Sequence, residues 1–545
     1  MLRRTFLSAS SLAMGIAATG VGSAAPLIAA KSILDYGATP DGKTLNTRAI
    51  QRAIDDVFQA GGGLVCAPPG TFLVGGIELK SRVTLYLEAG AVFLGSASIE
   101  DYEYHPGPPV QGDENGHHVI FTQNAEDVTL CGLGTIDGQG ERYWERTHRA
   151  AVAPEDEWKD VATFDYRVKD HNRRPSPMVE FAQSRNVRIS GVTLKNAAGW
   201  TLRPVNCNSV VIDGIRIRNP SYGINCDGID ITSSTNVFVS NCDIVTGDDA
   251  ICLKSENPYG GEALPTKNIT VTNCTLTTSC NGFKIGTATE GAFENIAFSN
   301  SVIYSNVSPV NARVIGGINI EMVDGGNING IVVSNIRMQN VRAPIFVRLG
   351  ERNKNSGTFL RNVLIDGVDA EGAIVASSIT GVPGLRPSDI TVSNCRFRTV
   401  AQGLADWAHP DIPEVANKYP ESRMMGHLPA YGFYIRHADR VRLRNVEYIA
   451  DKPDARPAIV CDDVDDVILA GLDLSSPTGD APLIDLTNTR RAFLTGIRAP
   501  AECQVFTQIR GAGSSGIALV GNSLAPRQKA VSFADGATDD SAKSS

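Results

Sequence analysis

Beyond its first 30 residues the sequence has no apolar run that approaches the roughly 20 residues needed to cross a bilayer. Aromatic residues are also scarce, at 6% of the 545 residues, whereas glycine occurs 53 times. Together with many Val, Ile, Asn and Thr residues, this composition favours strands and turns over helices. We therefore expect a β-rich protein without a membrane span.

The chain has no excess of positive charge, because 50 Lys and Arg residues stand against 59 Asp and Glu residues, a formal net charge of -9. This balance argues against broad nucleic-acid binding. It does not exclude an acidic sugar ligand, because a local basic groove can lie on an acidic protein.

The eleven cysteines are not spaced as in a disulfide framework or a zinc site. Cys242, Cys274 and Cys395 each follow Asn in a shared repeat context. This context predicts a small apolar residue at the turn of a stacked coil. One or two disulfides between neighbouring coils are the alternative.

Residues 1–30 have the pattern of an export segment. Arg3-Arg-Thr-Phe-Leu precedes an apolar run, and small residues follow it. Paired arginines followed by Phe-Leu are similar to a twin-arginine signal, with an ordinary secretion signal or an N-terminal anchor as alternatives. We predict a periplasmic or secreted protein, exported by the twin-arginine route.

An amphipathic helix is predicted from about Thr47 to Gln59. Apolar residues recur at i, i+3, i+4, i+7 and i+8 from Ile50 to Phe58, and Gly61-Gly-Gly ends the pattern. A single helix before a long array of strands is well placed to cap the open end of a solenoid.

From Leu64 onward the sequence repeats a short unit of two alternating hydrophobic runs, each introduced by Asn, Asp or Gly. Copies begin, for example, at Asn186, Asn236, Asn268 and Asn295. Such a unit predicts two strands joined by a sharp bend, with each coil pairing to the coils above and below. A β-sandwich or a propeller is the alternative, but the four-stranded blade motifs of a propeller are absent.

These repeats predict an all-β protein, a right-handed parallel β-helix that forms one domain over residues 31–525. The Ala-, Asp-, Ser- and Lys-rich tail at 526–545 is expected to be disordered. Long gaps at 137–174 and 403–437 predict insertions flanking one face of the solenoid. Their aromatic and charged residues, among them His437, suit contact with carbohydrate, and pocket-closing loops favour exo action.

Three aspartates are the strongest candidates for chemistry. Asp227 lies in Asn225-Cys-Asp-Gly, and Asp248 and Asp249 follow about one repeat later, after Gly247. Equivalent positions on successive coils stack about 4.8 Å apart. Like charges that close cannot all ionise at ordinary pKa values, so at least one carboxyl keeps its proton. One proton donor beside ionised carboxylates is what glycosidic bond cleavage requires.

Several motifs together resemble those of glycoside hydrolase family 28, which contains polygalacturonases and rhamnogalacturonan hydrolases. The two aspartate motifs are joined upstream by Gly134-Thr-Ile-Asp-Gly-Gln-Gly, Trp144 and Arg174-Pro175. The resemblance implies inverting hydrolysis of an α-linked galacturonic acid or rhamnose residue, without a cofactor and without a metal ion. It further implies that Asp248 is the general acid and that the carboxylates of Asp227 and Asp249 activate water.

The chain departs from the family pattern in its basic residues. Asn281 stands where the family has a histidine, and Lys284 follows three positions on. The family's Arg-Ile-Lys is represented by Arg313-Val-Ile, which keeps the arginine and loses the lysine. Lysine and arginine side chains here can donate to a sugar acid or pair with the aspartates. The candidate substrate-binding residues are Asn225, Lys254, Asn281, Lys284, Arg313, Arg348 and His437.

Two other functions compete with a hydrolase that acts as a monomer on an acidic polysaccharide or oligosaccharide. A polysaccharide lyase on a uronate polymer needs a base and often Ca²⁺, which the aspartates could bind. A non-catalytic carbohydrate-binding solenoid would use the same aspartates as a cation site or a polar ladder.

Overall fold

The structure, a computed structural model, describes residues 30–105, 116–146, 166–305, 313–353 and 357–544. The predicted export signal, except for its last residue, and much of the first predicted insertion lie outside these ranges. Within them, no helix combines the length and apolar character that a bilayer span requires.

The described chain is a parallel β-helix, in which 39 strands form one continuous parallel network. Successive coils add strands to three sheets. The first sheet contains Lys31–Ser32, Gly63–Ala67, Val83–Leu87, Glu126–Gly132, Arg185–Ser190, Asn208–Asp213, Thr235–Ser240, Thr266–Thr272, Ala292–Tyr304, Asn327–Gln339, Phe359–Ala373, Ser388–Thr399, Phe433–Ala450, Ile459–Ala470, Arg490–Thr495, Ile517–Val520 and Ala542–Ser544.

Several long strands bend from one sheet into the next. The second sheet adds Asp41–Leu45, Gly70–Val74, Ala91–Gly95, Thr135–Asp137, Thr193–Lys195, Arg216–Arg218, Asp243–Thr246, Thr275–Thr278 and Asp473–Leu474. The third sheet adds Ile77–Glu78, Ile120–Gln123, Val179–Ala182, Leu202–Val205, Ile229–Thr232, Ile251–Ser255, Asn281–Thr289, Val314–Met322, Val341–Leu349, Ser377–Thr380, Ile484–Thr487, Val505–Arg510 and Lys529–Ala534.

The remaining elements are short. Trp144–Arg146 and Tyr166–Val168 form a separate antiparallel pair. One α-helix covers Thr47–Gln59. The 3₁₀-helices are Ile33–Tyr36, Ile99–Asp101, Gly140–Tyr143, Ala405–Trp407 and Asp539–Ser541.

The α-helix has the bounds that the sequence predicts, and it buries Ile50, Ile54 and Val57 in the main core. Phe58, on the same predicted apolar face, is instead 36% exposed, and Lys80 and Arg82 lie over its ring. The capping role of the helix stays a prediction.

The expectation of a disordered tail is wrong for the described residues. Lys529–Ala534 pairs with Val505–Arg510, and Ala542–Ser544 pairs with Ile517–Val520. The polar composition indicated disorder, but a strand at the end of a solenoid can form with backbone hydrogen bonds to the previous coil and few apolar contacts.

The asparagines of the repeat explain how each coil bends. Asn236, Asn268 and Asn295 have φ values of 57°, 57° and 54°, in the left-handed region that Asn tolerates better than most residues. Their side chains also form a ladder. The Asn268 amide donates to Asn236 over 3.0 Å, and the Asn295 amide donates to Asn268 over 3.1 Å.

Replacing Asn268 with Ala should destabilise the fold by about 1–2 kcal/mol, because it removes two ladder bonds and places at positive φ a residue that tolerates this conformation less well than asparagine does. Asn268→Gly is the matched control. It loses the same bonds but tolerates the backbone, so its urea midpoint should fall less. Equal midpoints for the two variants would show that backbone conformation does not select Asn here.

All eleven cysteines are free. Cys242 and Cys274 are buried between consecutive strands, and Cys395 is buried inside the long strand Ser388–Thr399, just after the positive φ of Asn394, as expected for small apolar residues. The interior of the coils is filled by one continuous cluster of aliphatic and aromatic side chains, in which Phe283 and Phe298 stack at 4.5 Å. Such a closely packed interior fixes the spacing and register of the coils.

The third sheet differs from the others because its outer face is also covered. Asn281–Thr289 and Val341–Leu349 are buried at every position, whereas Val83–Leu87 alternates between buried and half-buried residues. The segment 403–432 packs over this sheet through an apolar cluster that contains Ala343, Val375, Ala376, Ile412, Met425, Leu428, Ala430, Tyr434 and Val460. The third sheet can therefore hold buried charged groups away from bulk water.

Candidate active site

The three aspartates meet at the ends of two neighbouring strands of the third sheet. Ile229 pairs with Ile251, so Asp227 and Asp249, each two residues earlier, occupy equivalent positions on adjacent coils. Asp227 is 4% exposed and Asp249 is 3% exposed, whereas Asp248 is half-buried. The spacing of about one repeat thus brings the aspartates to adjacent coils, and the residue equivalent to Asp227 is Asp249 rather than Asp248.

Asp249 is held as an anion. The Lys284 Nζ lies 3.0 Å from Asp249 Oδ2, and the Asn281 side-chain amide donates to Oδ1 over 2.7 Å. Burial alone would raise the pKa of Asp249, but the charges of Lys284 and Lys254 and the bonds from Asn281 and Lys284 outweigh it and lower that pKa. Asp249 therefore stays ionised and can accept a proton.

Asp248 has the opposite tendency. Burial and the adjacent Asp249 carboxylate raise the pKa of Asp248, although Lys284 and a hydrogen bond from the Cys280 thiol work against this rise. Burial, followed by the charge of Asp248, raises the pKa of Asp227 well above its ordinary value. Asp227 and Asp248 therefore keep their protons to a higher pH than an ordinary aspartic acid does.

A second cation lies on the other side of the aspartates. The Lys254 Nζ is 3.6 Å from Asp230 and 4.6 Å from the centre of the Trp200 ring. Burial raises the pKa of Asp230 to about 7, with Lys254 acting against the rise. Trp200 is 6% exposed, so it forms a mostly covered apolar wall beside this pair.

Lys284 links the sheet to the segment 403–432. The Lys284 Nζ donates to the Tyr419 hydroxyl over 2.9 Å and lies 3.9 Å from Glu321. Asn319 donates to Asn281 over 2.9 Å and to Glu321 over 3.1 Å. Burial raises the pKa of Glu321 to about 7, against the effect of Lys284.

The structure brings Lys254, Asn281 and Lys284 to the aspartates. Asn225 has a backbone φ of 51° and turns the chain just before the strand that follows Asp227. Its role as a ligand stays a prediction.

Arg313, Arg348 and His437 are held elsewhere. The strand register pairs Lys284 with Asn319, so Asn319 and Glu321 occupy the strand positions next to the aspartate site. Arg313 instead donates to the Asn340 side chain and to the Gly372 carbonyl.

The other two residues bind structural partners. Arg348 donates to the carbonyls of Gly381 and Glu414. His437 bonds to Asp463 at 2.8 Å and to Glu414 at 3.1 Å. Both therefore anchor the segment 403–432 or its neighbours.

Sequence reasoning missed Trp200, Asn319, the Cys280 contact and the position of Tyr419. Asn319 and Glu321 could have been found by counting alternate residues from Asn281 through the next repeat copy. No local signal marks Tyr419, because a loop residue reaches the site only through the path of the whole insertion.

Asp248, Asp249 and Cys280 have possible ligand atoms within 4.8 Å of one another. The set does not match a Ca²⁺ site, because Ca²⁺ takes six to eight oxygen ligands and a thiol is a soft ligand. Its chemistry therefore gives no support to the Ca²⁺-dependent lyase alternative.

Comparison with known proteins identifies the family. The model for glycosyl hydrolases family 28 matches residues 65–399. A probable polygalacturonase of Vitis vinifera is 27% identical over 450 residues, covering 76% of this chain and 86% of that protein. An exo-poly-alpha-D-galacturonosidase of Dickeya chrysanthemi is 26% identical over 457 residues, covering 70% and 73% of the two chains.

A crystal structure supports the fold independently. The hyperthermoactive exopolygalacturonase of Thermotoga maritima superimposes with a TM-score of 0.60 at 23% identity, over 78% of this chain and 92% of that one. The family match spans the aspartates, their lysine partners and most of the coils described above. The protein is therefore a glycoside hydrolase that belongs to glycosyl hydrolases family 28.

Proposed function

We propose that this hydrolase cleaves an α-linked galacturonic acid or rhamnose residue from pectic or related polysaccharide, by a single inverting displacement at Asp248 and Asp249. It acts as a monomer, after export to the periplasm or the exterior. The names of the similar proteins from Vitis and Dickeya support galacturonic acid as the first candidate sugar. The twin-arginine pattern in the sequence supports the location.

One observation carries the proposal: two adjacent carboxyl groups have pKa values that are shifted in opposite directions. The pKa of Asp248 is raised and that of Asp249 is lowered. Such a pair provides an acid and a base at the same pH. Asp248 donates its proton to the glycosidic oxygen as the bond to the leaving sugar breaks.

Water attacks the anomeric carbon from the opposite face and gives its proton to Asp249, which Lys284 and Asn281 keep ionised and oriented. The raised pKa of Asp227 favours Asp249 over Asp227 as the base. Asp227 can hold the water by a hydrogen bond. Inverting enzymes usually hold the acid and the base roughly 6.5–9.5 Å apart. Oxygen atoms of Asp248 and Asp249 lie within 4.8 Å of each other, so the proposed inversion requires the two side chains to move apart around the substrate and the water.

Exo action is supported by the segment 403–432. Its Tyr419 hydroxyl bonds to Lys284, and its Ser422 hydroxyl donates to the Ile315 carbonyl over 3.3 Å. The segment therefore crosses the third sheet immediately beyond the aspartates. A barrier there limits how many sugars extend past the cleaved bond.

Mass spectrometry of products from polygalacturonate and rhamnogalacturonan oligosaccharides tests the reaction. We expect released sugars that carry an added water, with single residues accumulating from the start. The rate should be unchanged by a chelator such as EDTA, because lysines supply the positive charge at the site. Products with an unsaturated end, or loss of activity in EDTA, would contradict the proposal and support a lyase.

A further inference from the structure

A cavity of about 510 Å³ lies outside the aspartate site. Its size falls within the range of about 300–1,000 Å³ that is usual for small-ligand sites. It is lined by Arg313, Ile374, Val375, Ala376, Val400, Ala401, Gln402, Leu404, Trp407, His427, Leu428, Lys452 and Arg456. Nine of these residues follow position 399 and so lie beyond the part of the chain that the family model matches.

The cavity lies on the same line of the third sheet as the catalytic carboxylates. Successive register pairs connect Ile251 with Ser377, four strands further along the sheet. Val375 therefore occupies the position equivalent to Asp249. At about 4.8 Å per strand, the separation is roughly 19 Å, the length of a few sugar units.

One chain segment connects the two places. Tyr419 bonds to Lys284 beside the aspartates, while His427 and Leu428, a few residues later, line the cavity. Met425 and Leu428 belong to the apolar cluster that fixes the segment to the sheet at Ala343. The cavity and the catalytic site are thus separate places on either side of this segment.

The charge of the lining suits an anion. Arg313, Lys452 and Arg456 are cations, and no Asp or Glu is found among the described residues of the lining. Asp454 neutralises the charge of Arg456, because the two form a buried ion pair in which Arg456 Nη2 and Asp454 Oδ2 are 2.7 Å apart. Lys452 is exposed at the rim, where its ammonium group can reach an incoming carboxylate.

The cavity also has a flat wall. The rings of Trp407 and His427 stack with their centres 3.7 Å apart and their planes 6° apart. The Arg456 guanidinium lies 5.6 Å from the Trp407 ring and donates to the Leu428 carbonyl over 3.1 Å. Flat aromatic area beside fixed donors is suited to a sugar ring that carries polar groups on its edge.

We infer that this cavity is a second, non-catalytic binding site for a uronate-bearing oligosaccharide. It would hold a distant part of the same acidic polysaccharide that the aspartates cleave. The chemical class of this ligand follows from the proposed function, whereas the location and the charge of the cavity do not depend on it.

Isothermal titration calorimetry of the Asp248→Asn protein with a galacturonate hexamer, all of whose sugar rings are saturated, tests the inference without turnover. We expect two binding events, of which one is lost on adding Trp407→Ala. Adding Lys452→Glu should weaken that event about fivefold or more, since it reverses an exposed charge beside a carboxylate. Lys529→Glu, an equal change at an exposed residue of the last coils, should leave both events unchanged.

In the otherwise unaltered enzyme, Lys452→Glu should raise the KM for polymer while kcat on a short substrate stays the same. Binding that is insensitive to both Trp407→Ala and Lys452→Glu would overturn the inference. If the unaltered enzyme cleaves the hexamer in that case, the proposed function survives. If two binding events occur but no pectic substrate is cleaved, the cavity site stands and the proposed function fails.

Discussion

Replacing Asp248 with Asn should lower kcat by roughly 10²–10⁴-fold, the usual contribution of a positioned general acid. Asparagine keeps the size of the side chain but has no acidic proton to give to the glycosidic oxygen. Burial and the Asp249 charge raise the pKa of Asp248, so the native side chain holds that proton to a higher pH than an ordinary aspartic acid does. Initial rates of sugar release on polygalacturonate provide the measurement.

Folding and binding should be little changed in this variant, because the raised pKa of Asp248 favours its uncharged form and asparagine resembles that form in size and polarity. Asp243→Asn is the matched control. Asp243 lies in the same coil but pairs with Arg218 at the surface, so its loss should leave kcat within about twofold. Normal turnover by the Asp248→Asn enzyme would show that another group protonates the leaving sugar.

Replacing Lys284 with Met should destabilise the protein by about 3–5 kcal/mol, because the buried carboxylates of Asp249 and Glu321 lose their shared cation. The unfolding temperature in thermal denaturation gives this effect. Lys267→Met is the control, since Lys267 forms a comparable pair with Glu294 over 2.7 Å at the surface. Its loss should cost only about 0–1 kcal/mol.

The same substitution should also change the pH dependence of catalysis. Lys284 is a principal cause of the lowered pKa of Asp249, so without Lys284 that pKa rises. Asp249 must be ionised to accept the proton of water, so the acidic limb of the kcat/KM profile should move to higher pH. If the limb stays in place while stability falls, Lys284 has only a structural role and Asp249 is not the base.

Much of the fold could be predicted because its rules are local and repeated. Alternating apolar residues select strands, and Asn at the start of each unit tolerates the positive φ of the bend, as at Asn236 and Asn268. Repetition then requires that coils stack. The tail at 529–544 was predicted wrongly because its strands depend on the preceding coil and not on their own composition.

The candidate site also has a part that could be predicted from the repeats and a part that could not. Asp227 and Asp249 could be brought together from the sequence because one repeat separates them and stacked coils align equivalent positions. Arg313 was placed wrongly at the aspartates, because a family motif matched by similarity does not fix strand register. Register depends on which apolar residues enter the core, and here it places Asn319 beside Lys284.

The sequence by itself determined the solenoid, its aspartate cluster and the class of chemistry, since periodic patterns and short motifs are written in neighbouring residues. Only the tertiary structure decided which aspartate is ionised, because pKa values depend on burial and on Lys284, 35 residues from Asp249 in the chain. It also decided that the segment 403–432 covers the third sheet and separates the catalytic site from a cationic cavity. These properties come from contacts between distant residues, which no local pattern specifies.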